Sequence, residues 1–243
     1  MSTAHNDWEL RPEDISLLAD LYQLTMAACY DGEGIAERPA SFEIFSRRLP
    51  SGFGYLIAME LDTVLDYLEA LTFTSEQLAQ LQRLPVFVQA PASLWKWLHS
   101  FHFTGDVWAV LPGTALFANE PWLRVEAPLW QAQLLETTLL NILNYQTLIA
   151  TKAARMRDAA GDQATLLEFG TRRAFSPQGA VWAAKAAIAG GMDSTSNVLA
   201  ALQLGLEPKG TMAHALVMAV TTLQGDEPAA FTAFQRYFPQ APC

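Results

Sequence analysis

Leu167-Glu168-Phe169-Gly170-Thr171-Arg172-Arg173 is the first of three stretches that decide how this chain reads. The others are Gly190-Gly191-Met192-Asp193-Ser194-Thr195-Ser196-Asn197 and Gly210-Thr211-Met212-Ala213-His214. Each closes a short apolar run, and helix-like segments separate them. That alternation is the signature of βα units, in which ligands sit beyond the carboxyl ends of the strands. Together the three ends supply two arginines, several hydroxyls and backbone amides, and one histidine. Those groups suit a small anion and a phosphate held beside a titratable nucleophile.

Working outward, Thr165–Phe169 reads as a strand, Pro177–Ala189 as a helix and Ser196–Leu204 as a second helix. Gly210–Thr211 reads as a strand end, and a last helix runs from about Glu227 to Tyr237. Upstream, a long helix is expected from Pro128 to about Ala160. Proline suits a helix start and Gly161 ends the run. Leu135, Leu139, Ile142 and Leu143 form its apolar side. Before it, Gly105 to Ala127 alternates apolar residues with turn residues, which predicts a small antiparallel sheet. Ser41–Phe45 predicts another strand. Helices are expected over Asp14–Tyr30, Met59–Leu71, Ser75–Leu84 and Trp95–Phe101. The expected fold class is α/β: a mixed α+β N-terminal domain over residues 1–127, then part of an α/β barrel over residues 128–243. The βα portion holds about three strands, too few to close a barrel by itself.

The 243 residues are 51% hydrophobic and carry a net charge of −10. Such a chain buries a substantial core. Its acidity argues against nucleic acid as a partner, which needs a basic face. A small anion remains possible where arginines cluster, as at Arg172 and Arg173. The two cysteines, Cys29 and Cys243, make no disulfide framework. Residues 1–8 lack the features of a signal peptide, and no uncharged apolar run reaches a membrane span. A cytoplasmic protein is expected, with no membrane partner.

Among single residues, His214 follows Gly210 and Thr211, where a ligand can approach the backbone. Its imidazole could act as a base or accept a phosphoryl group. Arg172 and Arg173 offer planar donors suited to carboxylate and phosphate. Glu168 is expected to pair with one of them. Ser194, Thr195 and Ser196 read either as anion-binding groups at a helix start or as ordinary caps. Arg47 and Arg48 stand in a glycine-rich loop that ends at Gly54. His5 is isolated, and His99 and His102 lack companion metal ligands. Trp8, Trp95, Trp97, Trp108, Trp122, Trp130 and Trp182 read as core or interface. Neither a P-loop nor a nucleophile elbow is present.

The chain resembles the nicotinate phosphoribosyltransferases. The resemblance begins at Asp20-Leu21-Tyr22-Gln23-Leu24-Thr25-Met26 and continues through Phe45–Pro50, Glu136–Asn141 and Thr151–Arg155. It ends with the three strand-end stretches, all in the family's order. It implies formation of nicotinate mononucleotide from nicotinate and phosphoribosyl pyrophosphate, with ATP hydrolysis, in NAD salvage. It implies that His214 is phosphorylated by ATP, that Phe169 stacks on the pyridine ring and that Arg172 meets carboxylate or phosphate oxygens. It places Ser194 and Thr211 at the ring's edge. Tyr22 and Arg47 would come from a neighbouring subunit, making a homodimer, and Mg²⁺ would arrive with the pyrophosphate. The family's members are longer, and Ala19 stands where they usually carry threonine. A fragment that binds nicotinate or dimerises without turnover is the alternative, followed by a transferase for nicotinamide or quinolinate.

Overall fold

The computed structural model describes residues 10–240; His5, Trp8 and Cys243 lie outside them. The fold is mixed α/β. It divides into two compact units, residues 1–148 and 149–243. The division falls inside the long helix rather than at residue 127, where the texture of the sequence changes. The reason is that Leu135, Leu139 and Leu143, on the first part of that helix, belong to the core of the first unit.

In the first unit a 3-10 turn, Pro12–Leu17, precedes α1 (Leu21–Gly32). The sequence predicts one helix across this region. The break at residues 18–20 is held from a distant part of the chain. The Leu18 carbonyl accepts the Thr138 hydroxyl at 2.7 Å and the Asp20 carboxylate accepts the Thr137 hydroxyl at 2.7 Å. The Thr138 hydroxyl thus takes a backbone carbonyl that a continuous helix would have used itself, and Thr137 holds the side chain of the residue before α1.

Next come β1 (Pro39–Phe45), β2 (Leu56–Ile57), α2 (Leu61–Ala70), α3 (Ser75–Gln82) and α4 (Ala92–His99). They are followed by β3 (Asp106–Ala109), β4 (Ala115–Leu116), β5 (Pro121–Pro128) and α5 (Leu129–Ala160). The main sheet is antiparallel with β5 between β1 and β3, and a bulge lies at Ile44/Phe45. β2 pairs with β4 in a second, smaller sheet. Leu123, Val125 and Ala127 alternate inward along β5, within the stretch for which the sequence predicts an antiparallel sheet. They share a core with Leu24, Val64, Leu94 and Leu98. Trp130 lies in that core, stacked on Trp97 at 5.3 Å and edge-on to Phe101 at 5.4 Å. Trp108 and Trp182 are instead exposed.

In the second unit β6 (Leu167–Glu168) and β7 (Ser194–Thr195) pair in parallel, with Leu167 opposite Ser194 and Glu168 opposite Thr195. The crossover helix is α6 (Pro177–Ala189). Among the described residues this is the sole parallel pair, and no closed barrel forms. Then follow α7 (Val198–Gln203), α8 (His214–Gln224) and α9 (Glu227–Tyr237), with α8 packed on α9. Ser194–Thr195 is therefore strand, not helix start; Asn197 is the cap, its side chain accepting from the Ala200 amide at 3.1 Å. Gly210–Thr211 forms no strand, and α8 fills a region for which the sequence predicts nothing. No helix among the described residues is long and apolar enough to cross a membrane.

The end of α5 is fastened to β7. Gly161 closes the helix at φ 74°, a left-handed geometry that glycine adopts without steric penalty. Four residues earlier, Arg157 reaches three carbonyls: Gly191 (2.9 Å), Gly161 (3.1 Å) and Ala164 (2.6 Å). It also meets the Asp193 carboxylate at 2.6 Å.

Candidate active site

In the second unit three chain segments come side by side. The Glu168 carbonyl accepts the Ser196 amide at 3.0 Å, which carries the β6–β7 pairing past the strand ends. The Thr195 carbonyl accepts the Lys209 amide at 3.0 Å, so the segment leading to Gly210 lies along β7. The Ser194 hydroxyl donates to the Glu207 carbonyl at 2.8 Å and reinforces that alignment. Gly210 comes close to Ser196: a Cβ built at Gly210 would sit 3.8 Å from the Ser196 Cβ. The three stretches singled out in the sequence thus end along one edge, despite the missing third strand.

The side chains at this edge fall into two groups. Ser194 and Thr195 are 3% and 0% exposed, and their hydroxyls bond within the protein. Ser194 therefore ties segments together, a use of its hydroxyl that the sequence does not announce. Phe169 is 46% exposed, and Arg172, Thr211 and His214 are exposed as well. Arg172 and Arg173 lie in a short 3-10 turn, Thr171–Arg173. His214 is the first residue of α8, where free backbone amides favour an anion.

Glu168 does not form the expected ion pair. Its carboxylate accepts the Gly170 amide and, at 2.5 Å, the Thr195 hydroxyl. Among the described residues Arg172 and Arg173 have no carboxylate within ion-pair distance. Both guanidinium groups are therefore available to an anionic ligand. Asp193, before β7, is held below the usual carboxylate range, first by the Leu166 amide and then by Arg157.

In the first unit Tyr22 lines a groove of about 570 Å³ with Asp20, Phe45, Arg48, Asn141 and Asn144. Arg48, rather than its neighbour Arg47, contributes to the lining. The Tyr22 hydroxyl is held above its ordinary range. A hydrogen bond with Thr137 acts to lower it, but desolvation and nearby Glu136 outweigh that. Among the described residues no group of three or more histidine, cysteine or acidic side chains is placed to hold a metal ion.

Comparison with known proteins gives two family-model matches. Residues 17–144 match the nicotinate phosphoribosyltransferase N-terminal domain, and residues 164–237 match the nicotinate phosphoribosyltransferase family. The chain is 45% identical over 231 residues to the nicotinate phosphoribosyltransferase of Bacillus subtilis, covering 95% of this chain and 45% of that protein. It is 38% identical to the Homo sapiens enzyme over 92% of this chain and 41% of that one. The crystal structure of the human nicotinic acid phosphoribosyltransferase superimposes with a TM-score of 0.75 at 37% identity, over 82% of this chain and 40% of that one. The nicotinate-nucleotide pyrophosphorylase of Pyrococcus furiosus shares the fold, with a TM-score of 0.73 at 24% identity over 94% of this chain and 49% of that one. The chain spans less than half the length of these curated relatives.

Proposed function

The chain belongs to the nicotinate phosphoribosyltransferase family, and from that premise we propose that it serves the ATP-assisted joining of nicotinate to phosphoribosyl pyrophosphate. In that reaction the pyridine nitrogen forms a bond to C1 of the ribose as the bond from C1 to pyrophosphate breaks. Positive charge grows on the sugar and negative charge on the leaving group. The product, nicotinate mononucleotide, belongs to NAD salvage.

The observation that supports the reading is that β6, β7 and the segment leading to Gly210 lie side by side, with Phe169, Arg172, Thr211 and His214 exposed on the stretches that follow them. Phe169 offers the pyridine ring an aromatic face, and such stacking restricts its orientation. Arg172, without a carboxylate partner among the described residues, pairs with the nicotinate carboxylate or a phosphate. Thr211 donates a hydroxyl at the ring's edge. Ser194 supports that edge by holding the Glu207 segment. His214 gives up a proton and takes the γ-phosphoryl of ATP, releasing ADP, and water later removes it as phosphate. Its place at the start of α8 favours the added negative charge. Tyr22 and Arg47 are the contribution of a second copy, which makes the working unit a homodimer. The described residues offer no metal cluster; Mg²⁺ would enter bound to the pyrophosphate oxygens, and no step here depends on it.

The test is product formation by the purified chain with nicotinate, phosphoribosyl pyrophosphate and Mg²⁺, with and without ATP. ATP-stimulated nicotinate mononucleotide is the expected result. Nicotinate binding without turnover would instead favour a non-catalytic binding or dimerising role.

A further inference from the structure

Glu168 does what neither of its neighbours can do. It is the last residue of β6 and stands directly before Phe169. One carboxylate oxygen accepts the amide of Gly170, two residues on, and so spans Phe169. The other oxygen accepts the hydroxyl of Thr195 on β7 at 2.5 Å. Thr195 is fully buried, and its oxygen in turn accepts the Asn197 amide at 3.0 Å. Asn197 then caps α7. A continuous chain of hydrogen bonds therefore runs from the turn that carries Phe169 to the start of α7.

The absence of a side chain at Gly170 fits the same arrangement. Its φ is −88°, which any residue adopts, so the backbone does not require glycine. A Cβ at Gly170 would lie 2.7 Å from Oε1 of Glu168, and only that carboxylate lies within 4 Å of it. The space glycine leaves is the space the carboxylate occupies.

We propose that Glu168 is the positioning residue of the nicotinate-binding turn: its carboxylate, shared between the Gly170 amide and the Thr195 hydroxyl, fixes Phe169 and Arg172 relative to β7. This rests on the reading that Phe169 and Arg172 receive nicotinate. Glutamine replaces it only in part. Its amide oxygen accepts from one of the two donors, and its NH₂ group, a donor itself, cannot accept from the other. Charge-assisted bonds are the stronger kind, so losing one weakens a ligand held by the turn about tenfold.

The experiment uses the full 243-residue chain and two readouts: equilibrium dialysis with labelled nicotinate, and hydrogen exchange of the Gly170 amide. The variants are Glu168→Gln, Gly170→Ala, Thr195→Val and Thr195→Ser. Positioning predicts that the first three each weaken nicotinate binding about tenfold. It also predicts that Thr195→Ser, which keeps the hydroxyl, stays within about threefold. A packing role for Thr195 predicts the reverse order, because valine keeps the buried volume and serine does not. In Glu168→Gln and Thr195→Val the Gly170 amide should exchange at least about tenfold faster. Unchanged nicotinate binding in Glu168→Gln, or serine weaker than valine, overturns the proposal. If the wild-type chain binds no nicotinate, the transferase reading fails. Gly170 exchange then decides alone: faster exchange in Glu168→Gln sustains the positioning role and an unchanged rate ends it.

Discussion

Gly190→Ala sets two physical effects against each other. Gly190 ends α6 at φ −80° and ψ 2°, a conformation open to alanine. Backbone entropy alone would make the substitution stabilising by about 0.4–1 kcal/mol. Packing points the other way. A Cβ at Gly190 would meet the Ala150 carbonyl oxygen at less than contact distance, the Ala153 Cβ at 2.8 Å and the Ala150 carbonyl carbon at 3.0 Å. Ala150 and Ala153 are 0% and 3% exposed in the middle of α5, so neither can swing away. Relief requires α5 and α6 to move apart, and overpacking of a rigid site costs about 3 kcal/mol, the upper end of the usual range. Subtracting the entropy gain leaves a net loss of about 2 kcal/mol, or about 4–8 °C in melting temperature for a chain of this size. Differential scanning calorimetry reads it directly. Gly54→Ala is the control: nothing lies within 4 Å of a Cβ there, and its melting temperature should hold or rise slightly. A Gly190→Ala protein that melts at or above the wild-type temperature would refute the reasoning.

Arg157→Ala removes the donor to three backbone carbonyls and the Asp193 carboxylate; urea unfolding should show a loss of about 2–3 kcal/mol, with Arg157→Lys intermediate because ammonium cannot reproduce the fork. Asp193 titrates below its ordinary range in the folded protein, so its contribution is present above the unfolded carboxylate pKa and is lost as pH falls through the folded one. Asp193→Asn should therefore flatten the acid side of the stability curve, below about pH 5, while leaving stability at pH 8 to 9 with the wild type's pH dependence. Leu94→Ala, at a fully buried position on α4, should cost about 3 kcal/mol in the same assay.

The long elements were legible because their signals are local. α5 runs between Pro128 and Gly161, two residues that punctuate helices by their own backbone chemistry. The inward face of β5 follows from the alternation of Leu123, Val125 and Ala127. What the sequence hid depends on partners far along the chain. The break before α1 is made by Thr137 and Thr138, which no window around Leu18 contains. The His214–Gln224 segment carries apolar residues around much of its circumference, so no stripe marks it as a helix. Ser194 and Thr195 look like caps in sequence, yet the cap is Asn197 and the two hydroxyls serve Glu207 and Glu168.

Glu168 takes the Gly170 amide and the Thr195 hydroxyl as partners and leaves Arg172 unpaired among the described residues. Had it paired with Arg172, the guanidinium would be neutralised and a nicotinate carboxylate would have to displace an internal acid. Instead the carboxylate takes an amide and a hydroxyl, both neutral donors. The arginine keeps its charge for an incoming anion, while the acid fixes the turn that carries it. On a chain with a net charge of −10, an arginine left free of acidic partners is the local condition under which an anionic substrate can be held. Introducing an acidic partner for the arginines tests this. Gly170→Asp would displace the Glu168 carboxylate and place a second acid one residue from the Thr171–Arg173 turn. Nicotinate binding should fall well beyond the tenfold loss expected of Gly170→Ala, and should partly recover at high salt as the added charge is screened. Equal losses in the two variants, with no dependence on salt, would show that the charge of the turn is irrelevant and that its geometry alone matters.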